Sequence, residues 1–487
     1  MLLIDPVRML PSLLLPLVGV LFVGGFSARS YGWAAVGVVG TVVFAIIRWA
    51  TFTYEIVGDR LETKRSLISR SVRTIPLERI RGVDVSTPPM HRLLGLSVLK
   101  IDTGASGGDE EAELDGVTLE EAERLKSLLL HRAARSQAQA HAPAAAAGPS
   151  EQELIRVPRR WLLYGPLSGA YLLTPFALVG GAVGLAFQWG DELGFGQDAA
   201  WSLGEWLWAH PYLLLAVAVL LVVAMPFLGG LMYAVFNWNF LLKRRDGYLV
   251  AERGLINRRS VSLESGRVRG YEIVDGLVER WANVVRVWAI VTGLGDSQTR
   301  GQLLPDVPRT VAFQVAANAI GPYRADLRSH PPAARNRRLF RAVFPWLVLA
   351  GVSALAAWAT GASPWWILVV AALLLAGVGV PLGLDRYASL GHGYDGVRLA
   401  VRSGSLRRSH AVIERRAVVG WRLRQTWFQR RAGVLTLIAG VGAGKGGYSA
   451  LDVSEAQAAQ FPAEVTPDWL APFLQPPPAH PQPSPTE

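Results

Sequence analysis

Two patterns alternate along this chain: long runs of uncharged apolar residues, and stretches in which polar and apolar residues change places every second position. The runs come in three pairs, residues 10–26 with 31–47, 161–187 with 212–236, and 342–359 with 365–384. A helix rises 1.5 Å per residue, so about 20 residues cross the roughly 30 Å of membrane hydrocarbon. Each run therefore predicts a transmembrane helix and each pair a hairpin, six spans in three hairpins. Trp161, Trp189, Trp206, Trp208, Trp365 and Trp366 stand at run ends, where an amphipathic ring belongs at headgroup level. No Asp, Glu, Lys or Arg lies inside a run. Ionisable groups inside the membrane mark ion and substrate paths, so their absence counts against a coupled transporter or an intramembrane protease.

The polar stretches after each hairpin repeat. Gly82, Gly270 and Gly420 anchor the comparison. Ten residues later stand Arg92, Arg280 and Arg430; thirteen residues later stand Gly95, Asn283 and Gly433, residue types that tolerate a left-handed backbone. The first and third positions after each anchor are apolar (Val83 and Val85, Tyr271 and Ile273, Trp421 and Leu423), which predicts a strand with one buried face. A second apolar run ending in a glycine turn follows each time, at residues 98–104, 287–293 and 434–440. Strand–turn–strand patterns with basic residues precede each anchor, and a helix closes the first copy, where Thr118 and Glu121 have capping-box spacing. Ser454 and Gln457 open a shorter equivalent in the third.

A small antiparallel sheet closed by one amphipathic helix, set beside a membrane hairpin, resembles the bacterial pleckstrin-homology-like (PH-like) membrane proteins of the YdbT type. The stretch 73–83, Arg-Thr-Ile-Pro-Leu-Glu-Arg-Ile-Arg-Gly-Val, is similar to a segment of that family. The second and third copies depart from it at 262–266 and 411–415. The resemblance implies an α+β membrane protein in which each of three hairpins is followed by a cytoplasmic PH-like β-barrel or sandwich with a C-terminal helix. The division read from the chain is hairpin 1 over 1–50, domain 1 over 51–132, a linker rich in Ala and Pro over 133–155, hairpin 2 over 156–240, domain 2 over 241–330, hairpin 3 over 335–386, domain 3 over 387–465 and a Pro-rich tail over 466–487.

Charge orients this arrangement. Arg8, Arg48, Arg156, Arg159, Arg160, Lys243, Arg244, Arg245, Arg337, Arg338, Arg341 and Arg386 share one side if both termini are cytoplasmic, whereas the opposite loop 188–210 has four acids and no base. The positive-inside bias then predicts a multi-pass protein of a bacterial plasma membrane with its termini and PH-like domains in the cytoplasm.

Composition removes chemistry rather than adding it. Of 487 residues only 18% are charged and 51% are hydrophobic, which excludes a disordered chain. The absence of cysteine excludes disulfides, thiolate metal sites and a cysteine nucleophile. The eight histidines are scattered without catalytic or metal-ligand spacing. The glycine-rich stretch 440–446 lacks the spacing of a phosphate-binding loop, with Ala439 and Gly446 where Gly and Ser/Thr are needed, and reads as a hairpin turn. No catalytic residue, metal or cofactor is expected, and the basic residues carry no nucleic-acid motif.

What remains is the net charge of +11. In PH-like relatives, basic residues near the first hairpin of the sheet hold anionic headgroups, so the resemblance implies candidate positions at Arg60, Lys64, Arg65, Arg70, Arg73, Arg258, Arg259, Arg407 and Arg408. The expected function is a non-enzymatic scaffold at the membrane surface that binds partner proteins or anionic phospholipids. The alternative is a subunit of a transport or export system whose spans line a path.

Overall fold

The computed structural model describes residues 52–66, 70–77, 80, 82–102, 112–140, 151–169, 171–189, 209–292 and 301–469, with isolated positions between 32 and 43 and between 202 and 206. Strands and helices follow one another as an α+β chain. The first set of strands is β1 (Phe52–Val57), β2 (Arg60–Ser66), β3 (Arg70–Pro76), β4 (Gly82–Thr87), β5 (Leu96–Asp102) and β6 (Ala112–Thr118), closed by α1 (Leu119–Ala140). Next come β7 (Glu151–Arg156), a 3-10 segment (Arg159–Leu167), α2 (Thr174–Trp189) and α3 (Pro211–Asn237). The second set is β8 (Leu241–Arg245), β9 (Tyr248–Arg253), β10 (Arg258–Glu264), β11 (Val268–Gly276), β12 (Val284–Val291) and β13 (Gln302–Pro308), with α4 (Arg309–Ala319). Then α5 (Pro332–Thr360) and α6 (Pro364–Ala388) lead to the third set: β14 (Gly391–Tyr394), β15 (Arg398–Gly404), β16 (Arg407–Glu414), β17 (Val418–Arg424), β18 (Val434–Val441) and β19 (Gly447–Ser454), closed by α7 (Glu455–Val465). Within the segment read as a linker, α1 runs on to Ala140 and β7 forms at its far end.

The repeat seen in the sequence has a backbone cause. Gly95, Asn283 and Gly433 all have positive φ, +67°, +55° and +61°, and each turns the chain out of a five-residue helix into the next strand. Both reciprocal hydrogen bonds of a capping box are made by Ser454 and Gln457 at the start of α7, and Glu121 N–H donates to Thr118 Oγ1 at the start of α1.

The described chain divides into two compact units, one built mainly from residues up to Arg267 and the other mainly from Ala316 onward together with β11 and most of β12. In the first unit β1, β2 and β3 form an antiparallel sheet, and Tyr54, Ile56, Leu61 and Ile75 pack over a core of Val83, Val85, Leu99, Ile101 and Leu114 under the apolar stripe Ala122, Leu125 and Leu129 of α1. The sheet β6-β5-β4 continues from β4 directly into β10, β9, β8 and β7. In the second unit β11 pairs in the same way with β16, and β15 and β14 extend that sheet. There β15 and β16 close with the separate sheet β17-β18-β19 and α7 around Leu399, Ile413, Leu437, Val453 and Phe461.

Of the expected spans, the first lies outside the described residues, and of the second only isolated helical positions between 32 and 43 are described. Three described helices are long and apolar enough to cross a membrane: α3, α5 and α6. Their apolar side chains point outward nearly all round, as Leu220, Phe227, Trp358, Ile367 and Leu374 do, which is how a helix solvated by lipid differs from one in a soluble core. The run 161–187 is not one continuous α-helix. Pro166, which supplies no N–H, and its neighbour Gly165 sit in the 3-10 segment, and the α-helix begins only at Thr174. The resulting 16-residue helix α2 is about 24 Å long, short of a crossing.

The structure also pairs two histidines that lie far apart in sequence. His392 Nδ1 is 3.1 Å from His330 Nε2, His330 Nδ1 is 2.8 Å from the Leu451 carbonyl oxygen, and both rings are buried. Burial lowers the pKa of both, that of His392 to about 4, with His330 and Arg328 acting in the same direction. At these two sites the folded chain thus holds fewer protons than the unfolded chain below about pH 6.5. Stability is complete above that value and lost as pH falls toward 4, by about 3 kcal/mol at most for His392. Thermal unfolding of the purified protein at pH 7.5 and 4.5 should show the drop, and His392→Leu should remove most of it.

Candidate anion site

In the second unit the first turns of α5 meet the sheet β17-β18-β19 across an open cleft of about 610 Å³. One wall carries Arg337, Arg338, Phe340 and Arg341; the other carries Arg424, Phe428, Thr436, Ile438, Ser449 and Asp452. The three arginines of α5 arise from local sequence. A helix that starts after Pro331 places residues three and four apart on one face, so Arg337, Arg338 and Arg341 converge just before the uncharged run begins at Ala342.

Among the described residues, Asp452 is the only acid lining the cleft. It has φ +58° and sits where the register between β18 and β19 slips, a bulge that re-aims a side chain. Arg337 Nε lies 3.1 Å from its Oδ1 and Arg338 Nη2 lies 2.7 Å from its Oδ2. Gln429 donates to Oδ1 at 2.8 Å. Arg337 Nη1 and Arg338 Nε are buried and have no hydrogen-bond partner. Four guanidiniums against one carboxylate leave the cleft positive. Phe340 and Phe428 are more than half exposed at its rim. The chemistry suits an amphiphile with a phosphate at one end: guanidinium N–H groups for the oxygens and aromatic faces for the apolar part.

The positions expected from the sequence are distributed otherwise. Arg60 is exposed at the start of β2, and Lys64, Arg65, Arg70 and Arg73 occupy β2 and β3, their side chains lying outside the described residues. Arg258, Arg259 and Arg407 are exposed on β10 and β16. Arg408 is already engaged: its Nε and Nη2 hold the buried Asp275 carboxylate at 3.0 and 2.7 Å, tying β16 to β11. Three arginines of the cleft were visible in the sequence only as flanking charge. Nothing in residue order shows that α5 lies over β17–β19.

Two of the repeat arginines make equivalent contacts. Arg92 Nη1 donates to the carbonyl of Leu255 at 3.0 Å. Arg280 Nη2 donates to the carbonyl of Ser405 at 2.7 Å, and its two Nη atoms hold Asp385 at 2.8 and 3.1 Å. Leu255 and Ser405 each lie fifteen residues before the following anchor glycine. A polar position nine residues after each anchor, His91, Glu279 or Gln429, is buried in all three copies. His91 lies 2.6 Å from Asp115 and Glu279 lies 2.7 Å from Arg286. No cluster of three metal-ligating side chains occurs among the described residues.

Comparison with known proteins matches this architecture. The family model described as the bacterial PH domain matches residues 12–133 and 344–461, which contain the first and third strand sets. The transmembrane protein YdbT of Bacillus subtilis (strain 168) is 24% identical over 459 residues, covering 88% of each chain. No solved structure matches. With the repeated strand sets, the apolar helices and these two similarities in hand, the chain belongs to the bacterial PH-domain family as a YdbT-like membrane protein.

Proposed function

We propose that this protein is a non-enzymatic membrane-surface scaffold whose second unit takes the phosphate of an anionic lipid in the cleft between α5 and β17–β19. The observation that carries the reading is the buried, unpartnered N–H groups of Arg337 and Arg338 at the foot of an apolar helix. A headgroup there would sit where the hydrocarbon-facing surface starts, and its acyl chains would run along Phe340 and Phe344, both exposed. A cation beside an anionic leaflet contributes about 1 kcal/mol, or about fivefold in occupancy. This reading moves the lipid contact from the first sheet hairpins to the base of α5, with the domains on the cytoplasmic side.

The test is lipid retention by the full-length protein in nanodiscs of equal phosphatidylglycerol and phosphatidylcholine, read by native mass spectrometry. The wild type should retain phosphatidylglycerol preferentially, and Arg338→Gln with Arg341→Gln should cut that preference by more than about tenfold. An unchanged ratio in the double variant would sink the proposal.

A further inference from the structure

Two sheet joints in this chain are built alike, and a third is half made. In the first unit β4 pairs with β10 through Val85↔Ser260, Ser86↔Arg259 and Thr87↔Arg258. In the second unit β11 pairs with β16 through Gly270↔Ile413, Ile273↔His410 and Asp275↔Arg408. Counted from the anchors the register is identical. The residue five after an anchor (Thr87, Asp275) faces the residue twelve before the next (Arg258, Arg408). Each joint is also latched by the arginine ten after its anchor, which reaches the carbonyl fifteen before the next, Arg92 to Leu255 and Arg280 to Ser405.

β17 is the third strand of this kind, and among the described residues it is the outer strand of β17-β18-β19. Three features mark a missing neighbour. A Cβ on Gly270 would overlap the carbonyl oxygen of Val412 on the paired strand, whereas a Cβ on Gly420 would meet nothing within 4 Å. Leu423 is 62% exposed, while its counterparts Val85 and Ile273 are each 3% exposed under their partner strands. Arg430, the third latch, is exposed and donates to no carbonyl among the described residues. An unpaired edge offers a row of backbone donors and acceptors to an added strand.

The complementary half is β3. It occupies the repeat position of β10 and β16, and in the order β1-β2-β3 its outer side has no strand among the described residues. We propose that β17 of one molecule pairs antiparallel with β3 of a second copy in the register of the two existing joints. Gly420 then faces Ile75, Trp421 faces Thr74, Leu423 faces Val72 and Gln425 faces Arg70. Leu423 and Val72, 62% and 46% exposed, become a cross-strand apolar pair. One pair is unfavourable: Arg422 faces Arg73, where the β11–β16 joint has Glu272 opposite Ala411. Such a head-to-tail contact builds rings or open chains of copies. The like-charge pair keeps it weak and makes it stronger as salt rises.

The chain has no cysteine, so cross-linking tests this on a clean background. Leu423→Cys in one tagged full-length chain and Val72→Cys in another, co-expressed and oxidised in membranes, should yield a disulfide dimer. Facing Cα atoms in a sheet lie within disulfide range, about 4.4–6.8 Å, whereas the pair with Thr74→Cys, two residues out of register, lies beyond it. Arg430→Ala should reduce the in-register product, and Arg422→Glu should raise it about fivefold by replacing repulsion with attraction. No dimer between the two single variants, equal yields in and out of register, or a cross-link found only inside a chain carrying both cysteines would each overturn the proposal.

Discussion

Asp452→Ala is expected to cost the second unit about 3–5 kcal/mol, the scale for stripping a buried charge network of one partner. Asp452 is 2% exposed and stands against Arg337, Arg338 and Gln429 at once. Its removal leaves two guanidiniums facing each other in a protein wall with no counter-charge and the Gln429 amide with Thr436 Oγ1 as its remaining acceptor. The bulge at this position adds to the effect, because alanine is a poor occupant of φ +58°. Asp452→Asn separates the contributions, since it keeps the shape and tolerates the backbone but removes the charge. Thermal unfolding in nanodiscs should show both losses, and the Asn loss should shrink when anionic lipid replaces zwitterionic lipid, as a phosphate takes over the carboxylate's role. A loss in Asp452→Asn that is the same in both lipids would separate the fold's need for this acid from any anion binding in the cleft.

Gly379→Leu is expected to disrupt the helix pair α5–α6. The two helices approach through Ala342, Ala350, Ser353 and Ala357 on one side and Ala372, Ala376, Gly379 and Gly383 on the other, all buried. In lipid the hydrophobic effect does not drive helices together, and close backbone approach over small residues does. A Cβ on Gly379 would overlap the Ala342 carbonyl oxygen, and one on Gly383 would press on Leu339. Overpacking of this kind costs about 1–3 kcal/mol where the neighbours can move, and a backbone carbonyl moves only with its helix. Gly377→Leu is the control, because nothing lies within 4 Å of that position. Yield of folded protein from membranes and its melting temperature should fall for the Gly379 variant alone. Because Arg337, Arg338 and Arg341 ride on α5, the same variant should also weaken anionic-lipid retention.

Much of this protein is local and was therefore legible in residue order. Turns at Gly95, Asn283 and Gly433 depend on a backbone conformation that few residue types adopt, so they recur visibly at fixed spacing. The helices α3, α5 and α6 are signalled by uncharged runs long enough to cross a bilayer, and the caps at Thr118 and Ser454 by side chains three residues apart. The run 161–187 shows that uninterrupted apolar character does not by itself fix one helix, since the chain there forms a 3-10 segment before its α-helix starts at Thr174.

The sequence by itself determined a membrane protein of threefold repeated sheet units, because strand alternation, span length and turn chemistry are each set by neighbours within a few positions. Only the tertiary structure decided where strands cross from one repeat to the next, that Arg408 holds Asp275 while Arg337 and Arg338 line an open cleft, and that β17 has no strand on its outer side among the described residues. Those outcomes turn on pairing between residues more than a hundred positions apart. An arginine's type and spacing say that it is charged, and only its surroundings say whether the charge is already spent.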